Sequence, residues 1–472
     1  MLDRLSEAQT VGLAFVILAS MLAAGWWVRR RVGFLRALFI PSSIVTGFLV
    51  LLLGPQVLGE LTSSQGLFPA DVLEVWRVLP GLFISVVFAA IMIGKTLPSG
   101  KDLWTAAAPH AIFGSFLSFG QFALGGLAVL FILTPVFGLP HEAGSLLEMS
   151  FAGGHGTIAG MGPLLVEAGA PEVVDIGLGL ATISMVTGIV IGSALVRWAV
   201  RSPQVQVMRN VPLSASEDYD VDRVPLAPSD DHDVEDSGIH PTTFAFALIG
   251  IALLVSVALL WAARWVVSAL GSDILDKFPL FPVAVIGGFV VQWVATRTGQ
   301  AAKIDKRAVN GISSVFLDAL LVCAIGTMSM ATIGANVPAI VTFTVIGVGW
   351  SVVTLLWWGR RFHRHNWFEH AIADFGQSQG NVATGFVLAD MVDPQRRTST
   401  ANDYGYKQLP YEPFLGGGLI TALSVPLITD WGLVPFTIAS IAATVTMWLW
   451  GTLRRRSSLP VPSGREASGG NQ

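Results

Sequence analysis

Long apolar runs recur along this chain from Val11 to Trp450. Each is close to the roughly 20 residues that a helix needs to cross a bilayer. Only 13% of the residues are charged and 53% are hydrophobic, whereas a soluble domain carries about 25% charge. The chain therefore reads as an all-α polytopic membrane protein. Its single cysteine, Cys323, excludes a disulfide framework and a cysteine-based zinc site. Nothing resembles a basic, aromatic-interleaved nucleic-acid stripe. Asp3, Arg4 and Glu7 precede the first run and Arg29, Arg30 and Arg31 follow it, which fits an uncleaved span better than a signal peptide.

Spans are expected near Val11–Val28, Leu38–Leu58, Val78–Gly94, Leu103–Thr134 and Val174–Val196, then near Thr242–Trp261, Leu280–Ala295, Ile312–Ile333 and Val337–Trp358. Two further apolar segments are interrupted. The first, about 146–166, contains Phe151-Ala152-Gly153-Gly154-His155-Gly156-Thr157. The second, about 367–392, contains Phe375-Gly376-Gln377-Ser378-Gln379-Gly380-Asn381. Clustered glycines do not continue a helix without cost. They free backbone groups at membrane depth, which hydrocarbon tolerates only where that backbone lines a cavity. Two such segments at matching places in two halves point to a transporter binding site.

Local sequence supports the repeat. Pro41-x5-Gly47-Phe48 matches Pro282-x5-Gly288-Phe289, and Glu148-x3-Ala152 matches Glu369-x3-Ala373. Residues 1–201 and 241–452 are thus expected to be two repeats of about five spans, each with a re-entrant segment. Residues 202–240 hold nine acidic residues and read as a solvated linker, and 453–472 as a polar tail. With the N-terminus outside, the basic clusters Arg29–Arg31, Lys95 with Lys101, Arg197 with Arg201, and Arg360 with Arg361 all fall on the cytoplasmic side. The repeats are then inverted and the linker is cytoplasmic. Phe414–Ile428 and Gly432–Trp450 are read, from repeat symmetry, as one broken span, giving ten in all; two separate crossings would give eleven.

Half-helices ending inside a membrane suit ions: N-terminal ends attract carboxylates, and C-terminal ends and unwound carbonyls attract Na⁺. Candidate substrate-binding residues are Gly153, Gly154, His155, Gly156, Thr157, Gln377, Ser378, Gln379, Gly380 and Asn381. Candidate Na⁺ ligands are Asp318, Asp374, Thr157, Ser378 and Asn381, by virtue of their oxygens or of an acid in an apolar context. Glu148 and Glu369 are expected to be interfacial or to position helices. His110, His141, His363 and His365 sit at span edges and are expected to be interfacial, and no histidine–metal site is expected. No Lys or Arg lies well inside an expected span, so helix ends, amides, His155 and co-bound Na⁺ would neutralise a carboxylate substrate. Trp26, Trp27, Trp357 and Trp358 read as belt anchors. Gly416-Gly417-Gly418 is either a hinge or a close packing site.

Gly153-Gly154-His155-Gly156-Thr157, with the following Gly162-Pro163-Leu164, resembles the first re-entrant loop of the bacterial sodium/glutamate symporters. The layout of the whole chain is similar to that family's, whereas the amide-rich second loop and the C-terminal part depart from it. The resemblance implies Na⁺-coupled uptake of L-glutamate or a related amino acid or carboxylate at the inner membrane. It also implies re-entrant tips meeting near the midplane, a homodimer in membrane lipid, and no enzyme activity. A proton-coupled transporter is the variant reading. A channel or a membrane sensory domain is the alternative of another class, although neither the linker nor the tail is long or apolar enough for a folded signalling domain.

Overall fold

The computed structural model describes residues 6–37, 40–95, 100–202, 239–271, 275–276, 278–363 and 365–457. The expected acidic linker and polar tail fall almost wholly outside the described residues, at 203–238 and 458–472. The described residues are overwhelmingly helical and contain no strand.

Ten helices among the described residues are long and apolar enough to cross a membrane. In the first half these are α1 (Glu7–Arg31), α2 (Ser42–Thr62), α3 (Ala70–Ala90) and α4 (Ala107–Phe137). Two short helices, α5 (Leu146–Phe151) and α6 (Gly154–Glu167), follow as a hairpin, and α7 (Glu172–Arg201) closes the half. The second half runs α8 (Pro241–Ala269), α9 (Leu280–Arg297), α10 (Lys306–Gly326) and α11 (Val337–Phe362). A second hairpin follows, α12 (Trp367–Gln379) and α13 (Val382–Val392). The described residues end with α14 (Thr400–Tyr411), α15 (Leu419–Trp431) and α16 (Leu433–Ser457).

Local chemistry sets these boundaries. Ser6 and Gln9 form a capping box at the start of α1. Asp305 caps α10 by accepting from the Arg307 and Ala308 amides. Pro41, Pro69 and Pro279 hold extended backbone just before α2, α3 and α9, where a missing N–H costs nothing. Basic ends are pinned by stacking: Arg30 over Trp26 at 4.9 Å, Arg31 over Trp27 at 5.1 Å and Arg361 over Trp358 at 4.4 Å. The outward rings of Trp26, Trp27 and Trp357 are exposed in the protein, as belt anchors are.

The C-terminal part differs from the expected single broken span. α15 and α16 are separate antiparallel helices joined at Gly432, and the true break lies earlier, between α14 and α15. Lys407 of α14 lies against Gly114, and the Tyr411 hydroxyl is 2.6 Å from that of Ser118, so α14 runs alongside α4 in the same direction. α16 then runs back along α4. Thr437 packs on Gly126 and, near the other end, Trp450 lies 5.9 Å from Trp104. The ten long helices therefore include α16, and the α14–α15 pair adds an eleventh passage along the bundle. Reading the sequence missed α14 because its inward face is polar and no apolar run marks it.

The hairpins enter from opposite ends of α16. The turn before α5 packs through Gly144 on Leu433, at the start of α16. Phe362, just before α12, packs on Gly451, near the end of α16.

Candidate functional site

The two hairpin tips meet. Gly154 adopts φ +70°, in the left-handed region that disfavours side chains, and a Cβ there would lie 3.0 Å from the Gly380 carbonyl oxygen. Backbone thus approaches backbone at this point, which explains the glycines better than helix flexibility does. The break between α14 and α15 joins the same place. Gly417, at φ +104°, abuts the Thr157 hydroxyl, and a Cβ on Gly416 would sit 3.6 Å from the Ala152 carbonyl oxygen. Three interrupted segments thus converge inside the bundle.

At the first tip, His155 is buried and its Nε2 is 2.9 Å from the Thr182 hydroxyl on α7. Thr157 donates to the Gly153 carbonyl at 2.9 Å, which leaves its lone pairs facing Gly417. Gly156 faces Ile84 of α3 and Leu317 of α10. At the second tip, Asn381 is exposed, and its side chain caps α13 by accepting from the Thr384 amide at 3.0 Å. Ser378 and Gln379 turn away from the tip. The Ser378 hydroxyl is 3.3 Å from that of Ser351, and Gln379 donates to the Gly347 carbonyl at 3.3 Å; both partners lie on α11. Gln377 faces α14 instead and forms a reciprocal amide pair with Gln408 at 3.0 and 3.1 Å. Asp318 lies half-buried on α10, the helix that faces Gly156 through Leu317.

Asp374 sits at the centre of a buried network that runs from α12 to α4 and α14. Lys407 donates to its Oδ1 at 2.9 Å and to Gln377 Oε1 at 2.7 Å. Both side chains of this ion pair are buried, and the ammonium also lies 4.1 Å over the Tyr411 ring. On the other carboxylate oxygen, His110 Nδ1 is at 2.7 Å and His363 Nε2 at 3.4 Å. An ionised carboxylate only accepts, so His110 carries its proton on Nδ1. Its Nε2 lies within hydrogen-bond distance of His370 Nδ1, 3.0 Å away.

This network corrects two expectations. His110 and His363, expected at span edges, are buried inside the protein, because α12 and α14 supply polar partners at their level. A lysine does lie deep in the protein, on the helix that hydropathy did not reveal. Its signal was periodic rather than apolar: Thr400, Tyr404, Lys407, Gln408 and Tyr411 are the buried residues of α14 and fall on one helical face. The ring nitrogens of His110, His363 and His370 lie within 4.8 Å of one another, a spacing that can hold a metal ion. His110 already uses both nitrogens, and Lys407 already balances Asp374. A dication there would be an uncompensated buried charge, so the geometry favours the closed, neutral network.

Glu148, expected to be interfacial or helix-positioning, is fully buried and positions backbone. It accepts from the Gly416 amide at 2.8 Å and from the Thr421 hydroxyl at 2.9 Å, and so ties α5 to the break between α14 and α15.

Compared with known proteins, residues 6–359 match the family model described as Sodium/glutamate symporter. The chain matches no curated protein. The match contains the first hairpin, His110 and Glu148, and it ends before the second hairpin and Lys407.

Proposed function

Because the match spans well over half of the chain, which therefore belongs to the sodium/glutamate symporter family, we propose that this multi-pass membrane protein imports L-glutamate or a related carboxylate together with Na⁺. It would act by alternating access at the inner membrane. The observation that carries the reading is the contact of two hairpin tips, Gly154 against Gly380, reached from opposite ends of the bundle. Half-helix ends meeting inside a bundle offer amides to a carboxylate and carbonyls to Na⁺.

Inverted repeats belong to this proposal, and packing supports them. In the matched sequence motifs, Gly47 of α2 abuts Ile325 near the end of α10, and Gly288 of α9 abuts Ala89 near the end of α3. Exchanging the halves maps one contact onto the other. The long helix before each hairpin also carries one wide turn near its end, at Val129–Leu133 and at Thr354–Trp358. The linker is cytoplasmic in this reading, and the protein is a homodimer in which α1 and α8, among the least buried spans, face lipid or the partner.

Reconstituted protein should take up labelled L-glutamate, or another acid from a carboxylate panel, down an inward Na⁺ gradient and not with K⁺ or choline. Folded protein that moves none of the panel would overturn the reading. The Asp374–histidine network favours one variant, proton coupling, and uptake that follows a pH gradient without Na⁺ would select it.

A further inference from the structure

Two buried carboxylates flank the convergence of the interrupted segments, and they differ in charge balance. Asp374 is neutralised by the Lys407 ammonium at 2.9 Å. Glu148 is as deeply buried, with 0% exposure, and it forms no ion pair among the described residues. Its partners are neutral donors, the Gly416 amide and the Thr421 hydroxyl. A buried anion without a counter-charge is costly, and its retention inside a membrane protein points to a cation.

The surroundings supply the remaining oxygens. Thr157 Oγ1 reaches Gly417 from the first hairpin, and the Ala152 carbonyl lies beside Gly416 at the C-terminal end of the α5 half-helix. Thr421 Oγ1 accepts from the Gly417 amide at 3.2 Å while it donates to Glu148. Hard oxygens from a carboxylate, two hydroxyls and an unwound carbonyl suit an alkali cation and not a soft metal. An unwound segment at a half-helix C-terminus is where Na⁺ binds in transporters built from broken helices.

We propose that Glu148 is the charged ligand of the coupling Na⁺, with Thr157, Thr421 and the Ala152 carbonyl completing its shell where the first hairpin tip meets the α14–α15 break. This rests on the symporter reading and deepens it. With Na⁺ bound, the charge of each carboxylate that flanks the convergence is balanced. The ion also ties the first hairpin to α15, so binding and tip geometry are coupled.

The test is equilibrium binding of ²²Na⁺ to the purified full chain without substrate, with K⁺ and choline as competitors. Wild type should bind ²²Na⁺ displaceably by Na⁺ only. Glu148→Gln keeps an acceptor for the Gly416 amide and the Thr421 hydroxyl but removes the charge, and it should weaken binding by more than about tenfold. Thr157→Val removes one ligand oxygen at constant volume and should weaken binding severalfold; it serves as the test if Glu148→Gln does not elute as folded protein. Wild-type ²²Na⁺ affinity in folded Glu148→Gln, or in Thr157→Val where that variant is the test, would overturn the site while leaving the symporter reading intact. Wild type that binds no ²²Na⁺ at all would overturn Na⁺ coupling and the site together.

Discussion

Replacing Lys407 with methionine keeps an unbranched side chain, one heavy atom shorter, and deletes the charge from the centre of the Asp374 network. At 2.9 Å the attraction between the two charges is roughly 6 kcal/mol for an effective dielectric constant of about 20. The ammonium also makes a charge-assisted hydrogen bond to Gln377, of a kind worth about 1.5–3 kcal/mol. Desolvation of the lysine opposes these gains. Breaking a buried pair by removing one member therefore costs about 3–5 kcal/mol, chiefly because the surviving carboxylate is stranded. His110 still donates to Asp374 and keeps the loss from exceeding that range. Lys407→Met should accordingly lower unfolding stability in micelles, measured by denaturant titration, by about 3–5 kcal/mol. Adding Asp374→Asn should recover more than about half of the loss, since a neutral amide needs no counter-ion. A Lys407→Met variant within about 1 kcal/mol of wild type, or a double variant no more stable than the single one, would refute the ion-pair argument.

Gly154→Ala places a Cβ at φ +70°, 3.0 Å from the Gly380 oxygen. It should cost about 1–2 kcal/mol of backbone strain and part the tips. Uptake should fall more than about tenfold while the protein still elutes as a single folded species, and wild-type uptake would separate tip contact from transport. The passage of α14–α15 followed by α16 returns the end of α16 to the side where α4 begins, the side that the basic clusters predict to be cytoplasmic. A C-terminal green fluorescent protein fusion should therefore fluoresce and an alkaline phosphatase fusion should be inactive, whereas the reverse would restore the single broken span.

Hydropathy revealed the long helices and the glycine pattern revealed both hairpins, because those signals are local. Gly154 shows why the second signal is legible: its positive φ and its approach to Gly380 are demands that only glycine meets cheaply. The Asp374 network was not legible as a unit. His110 on α4, His363 in the turn after α11, His370 and Asp374 on α12, and Lys407 on α14 belong to three parts of the chain that only tertiary packing gathers. α14 escaped for a related reason. Its buried face is made of tyrosine, lysine and glutamine, so it carries helical period without hydrophobicity. The same polarity makes Ser378 and Gln379 look like tip residues in sequence, while the fold uses them to hold α12 against α11.

In the proposed function, cargo passes where the tips meet. Asn381 is the exposed polar residue of the second tip, and Cys323 is buried and dispensable to the argument. In a Cys323→Ala background, Asn381→Cys can be labelled with a charged thiol reagent in right-side-out and inside-out vesicles. Labelling is expected from both sides, with Na⁺ and a transported carboxylate together shifting the balance between them. Labelling from one side only, indifferent to Na⁺ and to every carboxylate tested, would contradict it.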